Sequence, residues 1–526
     1  MALNKSIKVP MPEHGAVKRK MGDKIYVYYA TAVYRNEKGQ PTCDRTSIGR
    51  YDEETGMLIP NRSYYEVYLK ENAPIEGGVY SSGVNDVFEE ICRKTGITQI
   101  LKRYFPEKCE EILTVAQYML SEGNVMSYID DYTETHETAI NEKYDDVSSN
   151  RLFSSIREED IILFLKDWLK HNTTDEYIAY DVTSISSYSK QIAELEWGYN
   201  RDKEKLPQIN MGMYYGEESK LPLYYRIYPG SISDKAHLKY MVNNSNTFKN
   251  NRLKYVMDRG FYSGDNLRFL TENGHRFVIA LPGNLNYCKE IVKKNRDKII
   301  NKSEYSLGLK MPYGKSVECT ELGFRMNVHI YYDPQKALQE SEALYEYIAH
   351  QENDLRNMEE PPQRELHYDK YFYINRSKDG KLGFKKNHSA IDEALKMCGF
   401  FLIAETDFKK TTAEILNIYR TRDVVEKSFD NLKNELDFKR THCQTAETLT
   451  GKIFVSFISL IVKSYMMNKL KDFTTKNNYS QRKILLELDK IKVLKLSSTS
   501  KPKLINPHTK IQRDILSTLD ISLVCM

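Results

Sequence analysis

The chain has 526 residues, too many for one ordinary domain, and its 40% hydrophobic and 29% charged content suits a globular protein with sizeable cores. Its 77 basic and 73 acidic side chains leave a formal charge of only +4, so any nucleic-acid binding must come from local basic surfaces rather than a global field. The eight cysteines are scattered, with no C-x-x-C pair and no histidine at zinc spacing, which excludes a disulfide framework or zinc module and suits a reducing cytoplasm.

The opening MALNKSIKVPMPEHG lacks the apolar core of a signal peptide. Residues 1–75 read as a small β region: KIYVYYATAVYR, RTSIGRYD and GMLIPNRSYYEVYL alternate as strands, with turns at Asn36-Glu37-Lys38-Gly39 and Asp52-Glu53-Glu54-Thr55-Gly56. Residues 76–175 read as a helical region, in which Ser148 or Ser149 caps NRLFSSI and Arg157-Glu158-Glu159-Asp160 opens IILFLKDWLK. Over 176–282 the pattern turns to three consecutive strands (EYIAYDVTSIS, INMGMYYGEES, LPLYYRIYPGS). A helix from Lys235 to about Phe248 follows, then the strand LKYVMD, a helix after Ser263-Gly264-Asp265, and the strand RFVIALPG. That order is the order of a ribonuclease-H-like α/β fold. Residues 283–397 form an inserted module with the basic run 289–302, a strand pair FRMNVHIYY and KYFYINR, and a charged helix from Pro334 to about Met358 before Pro361-Pro362. The core resumes over 398–470 with GFFLIAET, a Thr411-x-x-Glu414 capping box and an apolar helix, ETLTGKIFVSFISLIVKSYMMNKL. Within it the apolar run Ile453 to Val462 is too short to span a bilayer, so no membrane role is expected. Residues 471–526 read as a helical C-terminal region ending in a basic, poorly patterned tail.

The most informative segment is 418–433. Placed on one helix with Tyr419 at zero, Arg422 falls at about 300°, Glu426 at about 340° and Lys433 at about 320°, a stripe roughly 60° wide. Ile418, Val425, Phe429, Leu432 and Leu436 take the adjoining sector, the face expected to enter a core. Upstream, Asp181 ends the first core strand and Asp258 ends the fourth, and the expected fold brings both to the sheet edge that Glu426 approaches. Each reads alone as something ordinary: a turn aspartate, or an i,i+4 ion pair between Arg422 and Glu426. One structural context accounts for all three. Clustered carboxylates repel unless cations neutralise them, and hard oxygen donors suit two Mg²⁺ or Mn²⁺ ions serving phosphoryl transfer. Asp265 and Glu405 read instead as a helix cap and a strand-end charge, and His237, His275, His329 and His442 as structural or surface residues.

The pattern Tyr-x2-Arg-x3-Glu-x6-Lys, met by Tyr419, Arg422, Glu426 and Lys433, together with YDVTSIS around Asp181 and VMDRGFYS around Asp258, resembles the bacterial insertion-sequence DDE transposases that carry this signature. The resemblance implies Asp181, Asp258 and Glu426 as catalytic metal ligands, and Tyr419, Arg422 and Lys433 as DNA contacts. It implies double-stranded DNA as partner (terminal inverted repeats, bound by the N-terminal β region and the helical region 76–175, and target), a homodimer on paired ends, and cut-and-paste chemistry. Members with a β-rich insertion before the Glu support a hairpin step with an insertion aromatic. Here both tryptophans, Trp168 and Trp197, lie outside the module, leaving Tyr331, Tyr332 or Tyr371 to substitute. The competing readings are a stand-alone metal-dependent nuclease and a domesticated DNA-binding protein.

Overall fold

The structure, a computed structural model, describes residues 7–35, 39–61, 63–70, 78–140, 143–172, 175–200, 204–245, 252–358, 368, 370–376, 382–436, 440–495 and 503–521. The expected turn residues Asn36, Glu37 and Lys38, and Pro361-Pro362, lie outside them. The chain divides into two compact units: residues 1–87, 131–143 and 479–526 form one, and 88–130 with 144–478 form the other.

In the first unit, Ala16–Met21, Lys24–Arg35, Pro41–Tyr51 and Leu58–Pro60 form an antiparallel sheet in sequence order. Residues Tyr64–Leu69, expected as strand, form instead a π-helical turn. The spacing that decides this is aromatic: Tyr64 and Tyr68, four apart, bring their rings to 5.3 Å, and Tyr68 packs edge-on to Tyr29 at 5.0 Å, covering Val27, Ile48 and Leu58. The C-terminal tail is likewise more ordered than its composition suggests. Lys492–Lys495 pairs with Gly78–Ser81 on one side and Lys503–Leu504 on the other, flanked by helices Gln481–Asp489 and Lys510–Thr518.

Asp489 pins this unit. Its carboxylate accepts from His136 Nε2 at 2.8 Å and from Ser81 Oγ at 2.5 Å. These bonds, the histidine's first, hold its carboxyl down to about 2. The folded carboxylate therefore binds its proton less readily than the unfolded one, so its stabilisation is complete above about pH 4 and is lost as the pH falls through about 2. Asp489→Asn is expected to destabilise this unit by about 1–2 kcal/mol at neutral pH, a half-exposed group being discounted for screening. Denaturant titrations of both proteins should show the gap closing between about pH 4 and 2.

In the second unit the centre is an eight-stranded mixed sheet in the spatial order Tyr313–Cys319, Met326–Tyr332, Phe400–Glu405, Arg276–Leu281, Lys254–Met257, Tyr177–Ser186, Gln208–Gly216, Pro222–Pro229. The last three strands form an antiparallel meander, while Lys254–Met257 runs parallel to Tyr177–Ser186 and Arg276–Leu281 parallel to Lys254–Met257. The Tyr177–Ser186 and Gln208–Gly216 strands are buried at every position, as near-continuous apolar runs covered on both faces should be.

The module expected over 283–397 is only partly an insertion. FRMNVHIYY and KYFYINR do not pair with each other: Met326–Tyr332 joins the central sheet between Tyr313–Cys319 and Phe400–Glu405, whereas Phe372–Arg376 pairs with Leu382–Lys386. The separate part is helix Pro334–Asn357, that hairpin and helix His388–Met397, around Ile348, Leu355, Tyr371, Phe372 and Ile391. The first part of the chain's helical region shows a further difference, since Asp145 rather than Ser148 or Ser149 caps Asp146–Ser155, accepting from Ser148 N. Helix Ala446–Lys469 is long and apolar enough to cross a bilayer, longer than the run read from sequence, yet it is buried within this unit against helices Cys109–Glu122 and Asp146–Ser155. Gly451 permits that approach, because a Cβ there would meet the Phe153 carbonyl oxygen at 2.1 Å.

Candidate active site

Two aspartates meet because two parallel strands are in register. Tyr180 lies opposite Met257, so the next residue of each, Asp181 and Asp258, emerges at the same level. Asp181 is 5% exposed and its Oδ1 accepts from Val182 N at 2.8 Å. Asp258 caps the single turn Arg259–Phe261, accepting from Arg259 N at 2.6 Å.

The third carboxylate arrives on a broken helix. Thr412–Arg420 begins with the expected capping box: the Thr411 hydroxyl accepts from Glu414 N, and Glu414 accepts from Thr411 N at 2.8 Å. The helix then stops. Thr421 turns its hydroxyl back onto the Ile418 carbonyl, and Arg422 N and Val424 N each reach back only three residues, to Tyr419 O and Thr421 O. A second helix, Asp423–Asp430, runs into a π-helical segment, Asn431–Glu435. The single stripe from Tyr419 to Lys433 is thus corrected. A uniform 100° per residue does not survive a three-residue turn followed by a widened one. The apolar face nonetheless packs as expected, with Ile418, Val425, Phe429, Leu432 and Leu436 all buried.

The break gathers Tyr419, Arg422 and Glu426 around the aspartates. Arg422 forks between Asp258 Oδ1 at 3.1 Å and Glu426 Oε1 at 2.9 Å, while Tyr419 donates to Asp258 Oδ1 at 3.4 Å. The guanidinium also lies 5.5 Å from the Tyr419 ring centroid. Burial opposes the Arg422 charge, but Tyr419, Asp258, Glu426 and Asp181 together hold its pKa above the ordinary value. Burial raises the Glu426 carboxyl, with Asp181, Asp423 and Asp258 adding to the shift and Arg422 opposing it. Burial likewise pushes the Tyr419 phenol up to about 12, so it stays protonated and acts as a donor.

Lys433 is 6% exposed on the π segment, below the surface where a phosphate contact was expected. Arg259, which sequence reading passed over although it stands within VMDRGFYS, is exposed beside Asp258 and acts electrostatically on Tyr419. The suggested insertion aromatics are poorly placed for stacking: Tyr331 is fully buried and donates to Thr412 O, Tyr371 is buried in the helical insert, and Tyr332 packs on Phe400. Glu405 is the strand-end charge expected, although fully buried, and accepts from Asn327 and the backbone of Asp407 and Phe408. Asp265 sits in the first turn of Gly264–Glu272, whose cap is Ser263. Among the described residues no group of three or more His, Cys, Asp and Glu side chains is gathered as a ready metal cage. Arg422 already engages two of the three carboxylates.

No curated protein matches the chain. Among solved structures, a cryo-EM structure of piggyBac transposase synaptic complex with hairpin DNA is similar at 12% identity and a TM-score of 0.37, over 84% of this chain and 83% of that one. The family model described as Transposase DDE domain matches residues 172–462, a span that takes in all three carboxylates and the whole central sheet. With more than half of its 526 residues matched, the chain belongs to the DDE transposase domain family.

Proposed function

We propose that the protein nicks DNA at the terminal inverted repeats of its own insertion sequence and joins the freed 3′-hydroxyls to target DNA, working as a dimer on paired ends. The observation that carries this is the convergence of Asp181, Asp258 and Glu426 on Arg422, from a central strand, its parallel neighbour and a helix laid across them. The strand order supports a ribonuclease-H-like core, with a three-strand antiparallel meander and a fourth strand parallel to the first.

The donors fit Mg²⁺ or Mn²⁺, because all are hard carboxylate oxygens and Arg422 already stands where positive charge is needed. Asp181, Asp258 and Glu426 would hold two such ions, which supply activation of a water or 3′-hydroxyl and stabilisation of the leaving oxygen. The chain's own residues then bind and orient. Arg422, with its planar fork, passes from carboxylate to phosphate oxygens, a geometry common to both. Tyr419, protonated at neutral pH, donates to the same strand, and Arg259 adds charge at the rim. Lys433, on the π segment that follows, is the second cation of the set.

The test is direct. Purified protein with Mg²⁺ and DNA bearing both element ends should give nicks at those ends and then joined products. Cutting without regard to ends, and without joining, would indicate a stand-alone nuclease. Binding without cutting would indicate a domesticated DNA-binding protein.

A further inference from the structure

The strand that carries Asp181 continues five residues to Ser186, about 16 Å further along the sheet, and opens there into a loop that returns at Gln208. This loop holds three of the most exposed aromatic side chains among the described residues: Tyr188 at 64%, Trp197 at 66% and Tyr199 at 86%. Leaving three large rings in water within twelve residues is unusual for a loop with nothing to bind.

The loop is nonetheless tightly anchored. Glu196 and Gln208 exchange both backbone hydrogen bonds, Gln208 Nε2 donates to Tyr199 O at 2.9 Å, and Asn200 Nδ2 donates to Ser186 Oγ at 3.1 Å. Gly198 lies so close to the turn after Pro222–Pro229 that a Cβ would stand 1.9 Å from Gly230 O. The backbone between the two outermost rings is thereby pressed against the protein, and the rings are held out in solvent. Their surroundings suit a polyanion. The exposed charged side chains of the described loop are Lys190 and Lys205, whereas Glu194, Glu196 and Glu204 are half-buried, Glu196 bonded to Ser231 and Glu204 to Arg440. Arg440 also stacks its guanidinium 4.9 Å from the Tyr188 ring centroid.

We propose that Trp197 and Tyr199, flanked by Tyr188 with Arg440, form a stacking platform for unpaired bases of the DNA strand that lies in the carboxylate site. Every base presents a π-face, and aromatic stacking beside cations holds single strands without reading their sequence. The platform rests on the DNA-transposition reading above, and the strand end that anchors its loop, Ser186, lies roughly five base steps, at about 3.4 Å each, from Asp181. It lies on the first core strand's own loop, outside the inserted segment, whose Tyr331, Tyr332 and Tyr371 are packed against the protein.

The two tryptophans make this testable on the whole protein. Trp168 is fully buried with its indole donating to Pro222 O, so solvent-exposed emission belongs to Trp197. Oligothymidine, a blunt duplex and the same duplex with an unpaired end are titrated while labelled-DNA anisotropy and tryptophan emission are followed together. The expected result is quenching of the exposed emission by the single strand and the unpaired end. Tyr199→Ala and Trp197→Ala should each weaken those two ligands roughly five- to a hundredfold, with blunt-duplex affinity unchanged and Trp197→Phe retaining most of it. Binding of every DNA with unmoved emission and unchanged variant affinities would overturn the platform and leave the transposition reading standing. Failure of all DNA to bind would overturn both. Trp197 protected by raising protein concentration alone would show that a second copy of the chain covers the loop, and would equally overturn it.

Discussion

Replacement of Glu426 by Gln is expected to abolish metal-dependent nicking, by about a thousandfold or more, while leaving the fold and DNA affinity intact. That scale is what removal of one group stabilising charge at a reacting centre can cost, and here the carboxylate would also be lost as a metal donor. Glu426 is the cleanest of the three carboxylates to test, because its side chain is half-exposed and its amide isostere fills the same space. Asp181, buried and hydrogen-bonded to Val182 N, would mix catalysis with folding. The direction of the Glu426 pKa adds a second readout. Burial and the neighbouring carboxylates raise it, so the folded protein binds this proton more readily than the unfolded chain, and ionisation costs stability as the pH rises through the folded value. The neutral amide is spared that cost. Thermal unfolding of Glu426→Gln at neutral pH should therefore occur at or slightly above the parent temperature. Conversion of supercoiled to nicked DNA at the parent rate would remove Glu426 from the catalytic set.

Arg422→Gln should act in the opposite sense on stability. Arg422 is largely buried and spans Asp258 and Glu426, with Asp181 near enough to contribute to its charge state. Its removal leaves three carboxylates without their shared cation. A fully buried pair broken in this way costs about 3–5 kcal/mol; with Asp258 and Glu426 half-exposed, about 1–3 kcal/mol is expected. Mn²⁺ should restore more stability to Arg422→Gln than to the parent, since the ion takes over the neutralising role. Arg422→Lys keeps a charge but loses the fork, and should recover stability better than activity. Differential scanning calorimetry with and without Mn²⁺ reads the parent, Arg422→Gln and Arg422→Lys. If Arg422→Gln unfolds like the parent and gains no more from Mn²⁺, the carboxylates do not form one electrostatic unit.

Much of the site is legible in the sequence. Asp258 follows its strand directly, as its apolar run reads, whereas Asp181, expected at the end of the first core strand, stands in the middle of Tyr177–Ser186 because the sheet pairs five residues beyond it. Glu414 three residues after Thr411 announced a helix start that the structure keeps to the residue. The five apolar residues from Ile418 to Leu436 are all buried, as their spacing required. Trp197 illustrates the opposite case. In sequence it was a tryptophan in the wrong place, and only its solvent exposure on an anchored loop gives it a role to test.

Local chemistry therefore determined what this chain could declare alone: periodicities of two and 3.6 residues, caps, and three carboxylates in an order that a DDE family member shares. Tertiary structure decided which strands are neighbours, drawing Met326–Tyr332 into the central sheet through pairing with Phe400–Glu405, a partner about seventy residues away. It also decided where the helix breaks. Thr421 competes for the Ile418 carbonyl just as Arg422 gains Asp258 and Glu426, so an ion pair to a strand far upstream joins a local hydroxyl in ending the helical repeat. That break places Arg422 among the carboxylates and carries Lys433 into the interior, an outcome that depends on partners no window of adjacent residues contains.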